Sequence, residues 1–97
     1  MAVYVIGQAR VNDPEGFKKY SAKVAGLAEK FGGKLIAAGG ADDKTVIEGS
    51  QFNDGKVVVF KYPSLEAYQD YVNSEEYQEG KSFRVNSGTL DVCVVPS

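Results

Sequence analysis

Apolar residues along this chain follow two periods, and the changes of period mark where elements start and stop. Val3 to Ala9 is rich in β-branched residues and reads as a strand, ending at Arg10-Val11-Asn12-Asp13-Pro14, a turn that also opens a helix. Asp13 is placed to cap that helix, its carboxylate accepting backbone N–H bonds while Pro14 takes the first helical position, where a missing donor costs nothing. Phe17, Tyr20, Val24, Leu27, Ala28 and Phe31 then recur at steps of three and four, one helical stripe with Lys18, Lys19, Lys23, Glu29 and Lys30 lying elsewhere. Gly26 weakens this helix by about 1 kcal/mol relative to alanine, which points to a close packing contact there. Gly32-Gly33 ends it, glycine being suited to the left-handed cap.

Lys34 to Ala38 is a short apolar second strand, broken or bulged at Gly39-Gly40, with a turn at Asp42-Asp43. Thr45-Val46-Ile47-Glu48 resumes extended structure, either as a bent continuation of that strand or as a small strand of its own. Asn53-Asp54-Gly55 is a hairpin signal, so this segment is expected to pair antiparallel with Lys56 to Lys61. Tyr62-Pro63 stops the latter strand, because proline cannot donate to a ladder. Ser64 caps a helix with an apolar stripe of Leu65, Tyr68, Tyr71 and Val72. Asn73-Ser74 interrupts it, and Ser74 caps a further short helix from Glu75 to about Lys81. Ser82 to Gly88 reads as a loop or frayed helix end, and Thr89 to Val95 as the last strand, stopped by Pro96.

The order β-α-β-(β)-β-α-β gives an α+β, ferredoxin-like domain over residues 1–97, an antiparallel sheet with its helices on one face and right-handed crossovers. A sheet wet on its other face should alternate apolar and polar residues. Val57-Val58-Val59-Phe60, Val92-Cys93-Val94-Val95 and Val3-Tyr4-Val5-Ile6 are apolar at both parities. Both faces therefore call for cover, and the helices suffice for one. A second copy packing sheet against sheet, an isologous homodimer, meets the need.

Composition narrows the function. A net charge of -2 with scattered lysines and arginines argues against nucleic acid as a partner. No apolar run approaches the roughly 20 residues needed to span a bilayer, and the N-terminus lacks the basic segment of a signal peptide. With a single cysteine, Cys93, no internal disulfide can form, and the expected setting is cytoplasmic, with Cys93 a buried inert thiol. The chain has no histidine, which removes the commonest general base and, with one cysteine, argues against zinc or a Ser-His-Asp or Cys-His site. Asp42-Asp43 reads as a solvated turn rather than a cation site. Gly39-Gly40 lacks the spacing and following helix of a phosphate loop. No cofactor is expected.

What remains is a set of phenols. Tyr20 lies on the inner stripe of the first helix, Tyr71 on that of the second, and Tyr77 opens the short helix that follows. Buried phenols seek a hydrogen-bond partner, and two charged groups are placed to serve: Glu48 at the end of an apolar segment, and Arg84. A cleft between sheet and helices, walled by tyrosines with Glu48 and Arg84 converging, suits a small, partly apolar ligand. Two functions follow. In one, the protein is enzyme-like and cofactor-independent, with Glu48 as acid or base, Arg84 facing an anion or oxyanion, and Tyr20, Tyr71 and Tyr77 as donors and walls. In the other, it is a non-catalytic dimer that binds a metabolite or a protein.

Several stretches together resemble one family. NDPEGFKKYSAKVAGLAEKFGGKLIAAGG, VIEG, VVVFKYPSLEAYQDYVNSEEYQ and Arg84 are similar, in order and spacing, to the domain of unknown function 1330 family. That resemblance implies a dimeric α/β-barrel, in which two ferredoxin-like sheets close face to face, and no established activity. Relatives by fold include cofactor-free monooxygenases and decarboxylase-like or isomerase-like enzymes, a link by analogy alone. The chain departs from the family pattern at Ala38, where an arginine is usual before the Gly-Gly pair, at Ser74-Glu75-Glu76, and at Tyr62 in place of phenylalanine.

Overall fold

The computed structural model describes residues 1–40 and 42–97. Its framework is a four-stranded antiparallel sheet of β1 (Val3–Val11), β2 (Lys34–Gly39), β3 (Lys56–Tyr62) and β4 (Gly88–Pro96), in the order β2-β3-β1-β4. The long apolar strands β1 and β3 take the middle, pairing Val5 with Phe60 and Gly7 with Val58. Between the strands run α1 (Pro14–Val24), α2 (Leu27–Lys30), α3 (Leu65–Val72) and α4 (Glu75–Arg84). This is the ferredoxin-like arrangement expected from the pattern. Principal extents of 32 × 31 × 16 Å fit one sheet and one layer of helices.

The capping expectations hold in detail. Asp13 accepts from the Glu15 amide at 3.2 Å, Ser64 from Ala67 at 3.0 Å and Ser74 from Tyr77 at 3.2 Å. Gly33 N–H reaches the Ala28 carbonyl at 2.8 Å, closing the helix where Gly32-Gly33 predicted. Helix α4 runs to Arg84, one turn beyond the expected Lys81.

Three expectations change. First, the helix over Pro14 to Phe31 is two helices. Gly26 has a left-handed backbone (φ 74°), and a Cβ placed there would meet nothing within 4 Å, so the glycine serves the turn rather than a packing contact. The close contacts fall at Gly16 and Gly80 instead. A Cβ at Gly80 would meet Val24 Cγ1 at 2.9 Å, and one at Gly16 would meet the Phe83 carbonyl at 2.8 Å. These glycines let α1 and α4 pack tightly and antiparallel. Second, Thr45–Glu48 forms no strand. β3 already has β2 on one edge and β1 on the other, so no free edge remains to pair with it. The segment is part of the connection from β2 to β3, which rejoins the sheet at Lys56. Third, Gly39-Gly40 ends β2 rather than bulging it, and the strand's irregularity lies earlier, between Leu35 and Ala37. Asp42-Asp43 does turn, the Asp43 carboxylate accepting from the Gly40 amide at 2.6 Å.

The core is confined to one end of the sheet. Val3, Val5 and Tyr62 are buried there under Ala28, Phe31, Ala67, Tyr68 and Tyr71. Further along the same face, the strands carry Gly7, Ala9, Val58, Leu90 and Val92 and no helix closes down on them. The far face carries Ile6, Val57, Val59, Cys93 and Val95; no helix covers it, and only the β2–β3 connection lies against one end. Cys93, expected to be buried, is exposed for that reason: it pairs with Ile6 on the far face. None of the described helices is long and apolar enough to cross a membrane.

Candidate functional site

Because Gly7 and Ala9 put little side chain on the sheet, and because the core stops at Val5 and Tyr62, a cleft of about 770 Å³ opens between sheet and helices. Its floor is aliphatic, with Val5, Val58, Phe60, Leu90 and Val92. Its wall is aromatic, with Phe17 and Tyr20 from α1, Tyr68 and Tyr71 from α3, and Tyr77 from α4. The helical spacing of these residues makes the wall continuous. Ring centroids lie 6.2 Å apart for Tyr20 and Tyr77, 4.9 Å for Tyr77 and Tyr71, and 5.9 Å for Tyr71 and Tyr62. Most of these contacts are edge-on or tilted, the arrangements that aromatic quadrupoles favour.

Burial dominates the phenols' ionisation. It pushes Tyr68 up to about 12 and holds Tyr62 and Tyr71 higher still, with the neighbouring phenols adding to the effect. Tyr20 is raised first by burial and then by Tyr77, against a smaller downward pull from the Arg84 guanidinium. These phenols are neutral donors at ordinary pH.

Arg84, in the last turn of α4, joins the wall from behind. Its Nη2 donates to the Tyr77 hydroxyl at 2.9 Å, and its guanidinium carbon lies 4.9 Å from the Tyr20 ring centroid and 5.9 Å from that of Tyr77. Among the described residues no carboxylate pairs with it, and its buried Nε has no acceptor.

The structure thus brings Tyr20, Tyr71, Tyr77 and Arg84 together, as the sequence suggested. It does not bring Glu48 to them. Glu48 is exposed beside a second hollow of about 620 Å³, lined by Ala37, Ala38, Val57 and Val59. Val57 and Val59 point away from the helices, so within one chain Glu48 and Arg84 stand on opposite sides of the sheet. The expected convergence fails because Thr45–Glu48 leaves the sheet rather than ending a strand in the cleft. The carboxylate that borders the cleft is Glu29. Its place in the sequence puts it on the polar side of a continuous helix. The break at Gly26 turns α2 and carries Glu29 to the cleft, and a glycine inside a helical stripe was the one available signal.

Comparison with the curated proteins finds none that matches. Solved structures of the same fold do. A protein of unknown function from Rhodopseudomonas palustris superposes with a TM-score of 0.82 at 17% identity, covering 99% of this chain and 82% of that one. A dimeric ferredoxin-like protein of unknown function from Jannaschia sp. CCS1 gives 0.72 at 14% identity, with 100% of both chains covered. SnoaB, a cofactor-independent oxygenase from Streptomyces nogalater, gives 0.66 at 11% identity, covering 99% and 92%. At such identities these likenesses show the fold. The sequence itself matches the domain of unknown function (DUF1330) model over residues 2–97, and the chain belongs to that family.

Proposed function

We propose that this protein is a cytoplasmic homodimer that binds a small, ring-bearing organic molecule in the cleft between sheet and helices, without a metal or bound cofactor. The observation that carries the reading is the cleft itself, about 770 Å³ with an aliphatic floor and a continuous tyrosine wall. That volume suits a one- or two-ring compound, and a largely apolar lining with few polar groups is the usual character of a small-molecule site. Cofactor-independent oxygenase chemistry on this fold in SnoaB supports an enzyme-like role. A specific observation favours plain binding as the second reading: the chain has no histidine, and Glu48 lies across the sheet from Arg84.

The homodimer is proposed through the far face, closing two sheets into an α/β-barrel. Ile47 is 89% exposed, and Phe52, Val95 and Cys93 are exposed with it, and clustered exposed apolar residues of this kind mark interaction surfaces. Dimeric neighbours of the same fold support this.

Calorimetric titration with a panel of one- and two-ring aromatic compounds tests the cleft. Saturable binding is expected, weakened about tenfold in Ala9→Leu, where the larger side chain occupies the floor without touching a polar group. If no member of the panel binds, or if Ala9→Leu binds as tightly as the native protein, the cleft is not the site.

A further inference from the structure

The geometry points to an anionic oxygen on the ligand: we infer that the cleft takes an aromatic carboxylate or a comparable ring-bearing oxyanion, read by Tyr77 and Tyr20 with Arg84 behind them. This rests on the cleft being a small-molecule site and specifies what enters it. Three observations carry it.

Arg84 is half-buried and has no carboxylate partner among the described residues, whereas Arg10 is paired with Asp54 and Asp91, and Lys23 with Glu79. A guanidinium withdrawn from water without a counter-charge is unfavourable unless something replaces the lost solvation. The faces of Tyr20 and Tyr77 supply part of that. The buried Nε still lacks an acceptor, so the local charge is incompletely answered.

The direction of the Arg84–Tyr77 hydrogen bond matters as well. Arg84 donates and the Tyr77 oxygen accepts, at 2.9 Å. Tyr77's own hydroxyl proton is therefore directed elsewhere, and a phenol whose oxygen accepts from a cation is a stronger donor than a free phenol. Tyr20 stands beside it, close enough for its hydroxyl to share hydrogen bonds with the Tyr77 hydroxyl and the Arg84 guanidinium, and neither phenol donates to a carboxylate or carbonyl among the described residues. With one hydroxyl engaged by the other, the pair leaves a phenolic O–H for the cleft with a cation behind it, which favours an oxyanion over a neutral amide, whose carbonyl accepts without the charge, and over a hydrocarbon. The rings of Tyr71 and Phe60 and the floor at Val58 suit the aromatic body of the same molecule.

A matched pair of probes tests this: 2-naphthoate against 2-naphthamide, titrated by calorimetry into the native protein. Naphthoate is expected to bind at least about tenfold more tightly. In Tyr77→Phe, which keeps the ring and its packing, and in Arg84→Gln, the ratio is expected to fall towards one through loss of naphthoate affinity, with naphthamide affinity held. Equal affinities in the native protein overturn the anion inference while leaving the cleft as a site. Binding of neither probe overturns the cleft and this inference with it. A ratio unchanged in Tyr77→Phe, with its thermal transition preserved, overturns the role given to the phenol. The native ratio decides the central claim even if Arg84→Gln fails to fold.

Discussion

The two faces of this sheet are built from the same strands and nearly the same residue types, yet they are treated differently. On the helix side, Val3, Val5 and Tyr62 are sealed at one end while Gly7, Ala9 and Val58 stay open to a cleft. On the far side nothing from the helices covers Ile6, Val57, Val59 or Val95. One polar clasp there, in which Gln8 and Arg10 hold Gln51 and Asp54, fastens the β2–β3 connection across the sheet's end. Apolarity at both parities says that both faces need a partner; it does not say what kind. Small residues on one side and a bare surface on the other make that distinction, and the proposed ligand on one face and second copy on the other rest on it.

The harshest way to break the comparison is a charge at Val59, in the middle of the far face. An isologous interface carries the substitution twice, so Val59→Lys is expected to weaken dimerisation about a thousandfold. Sedimentation velocity over a concentration series checks it. A native protein that sediments as a monomer at micromolar concentration removes the proposed interface altogether.

The helix face breaks differently, with alkali. Tyr62, Tyr68 and Tyr71 are all held above the ordinary phenol value of 10.0, first by burial. A raised folded value means that the unfolded chain loses its phenolic protons first. The stability these residues contribute is whole below about pH 10 and is lost as pH rises through about 12, at roughly 1 kcal/mol for each phenol at about pH 11. Tyrosinate absorbance and loss of far-ultraviolet ellipticity are expected to rise together in that window, and Tyr71→Phe is expected to move the transition upward. Ionisation of these phenols well before unfolding would show the wall to be more open than its packing indicates.

How much of this could be read from the chain depends on how local each signal is. Asp13, Ser64 and Ser74 act over three residues, so their caps were legible. The ferredoxin-like arrangement followed from the alternation of elements, and the tyrosine wall from helical spacing. Glu48 was misplaced because its position depends on a non-local fact, that β1 and β2 between them use both edges of β3. Glu29 was missed because one backbone angle at Gly26 redirects everything after it. Arg84 was visible as a residue, but its lack of a counter-charge among the described residues belongs to the packing and has no sequence signature.

The gentlest test asks whether the two faces act independently. Gln8 is 4% exposed on the far face, its Nε2 donating to the Gln51 carbonyl at 2.6 Å and the Asp54 carbonyl at 3.3 Å, its Oε1 accepting from Gln51 Nε2 at 3.0 Å. In Gln8→Leu the Gln51 carbonyl keeps the Arg10 donor at 2.9 Å, so the loss is expected to be about 1 kcal/mol rather than that of a stripped buried group. Faster amide exchange across residues 50–55 is the expected signature, with ligand affinity in the cleft unchanged. Gln8 and the cleft residues Gly7 and Ala9 are chain neighbours on opposite faces, so any strain sent through β1 reaches the cleft floor directly. A fall in ligand affinity in Gln8→Leu therefore means that the clasp sets the shape of the cleft, and the sheet acts as a coupling element between partner and ligand rather than a wall between them.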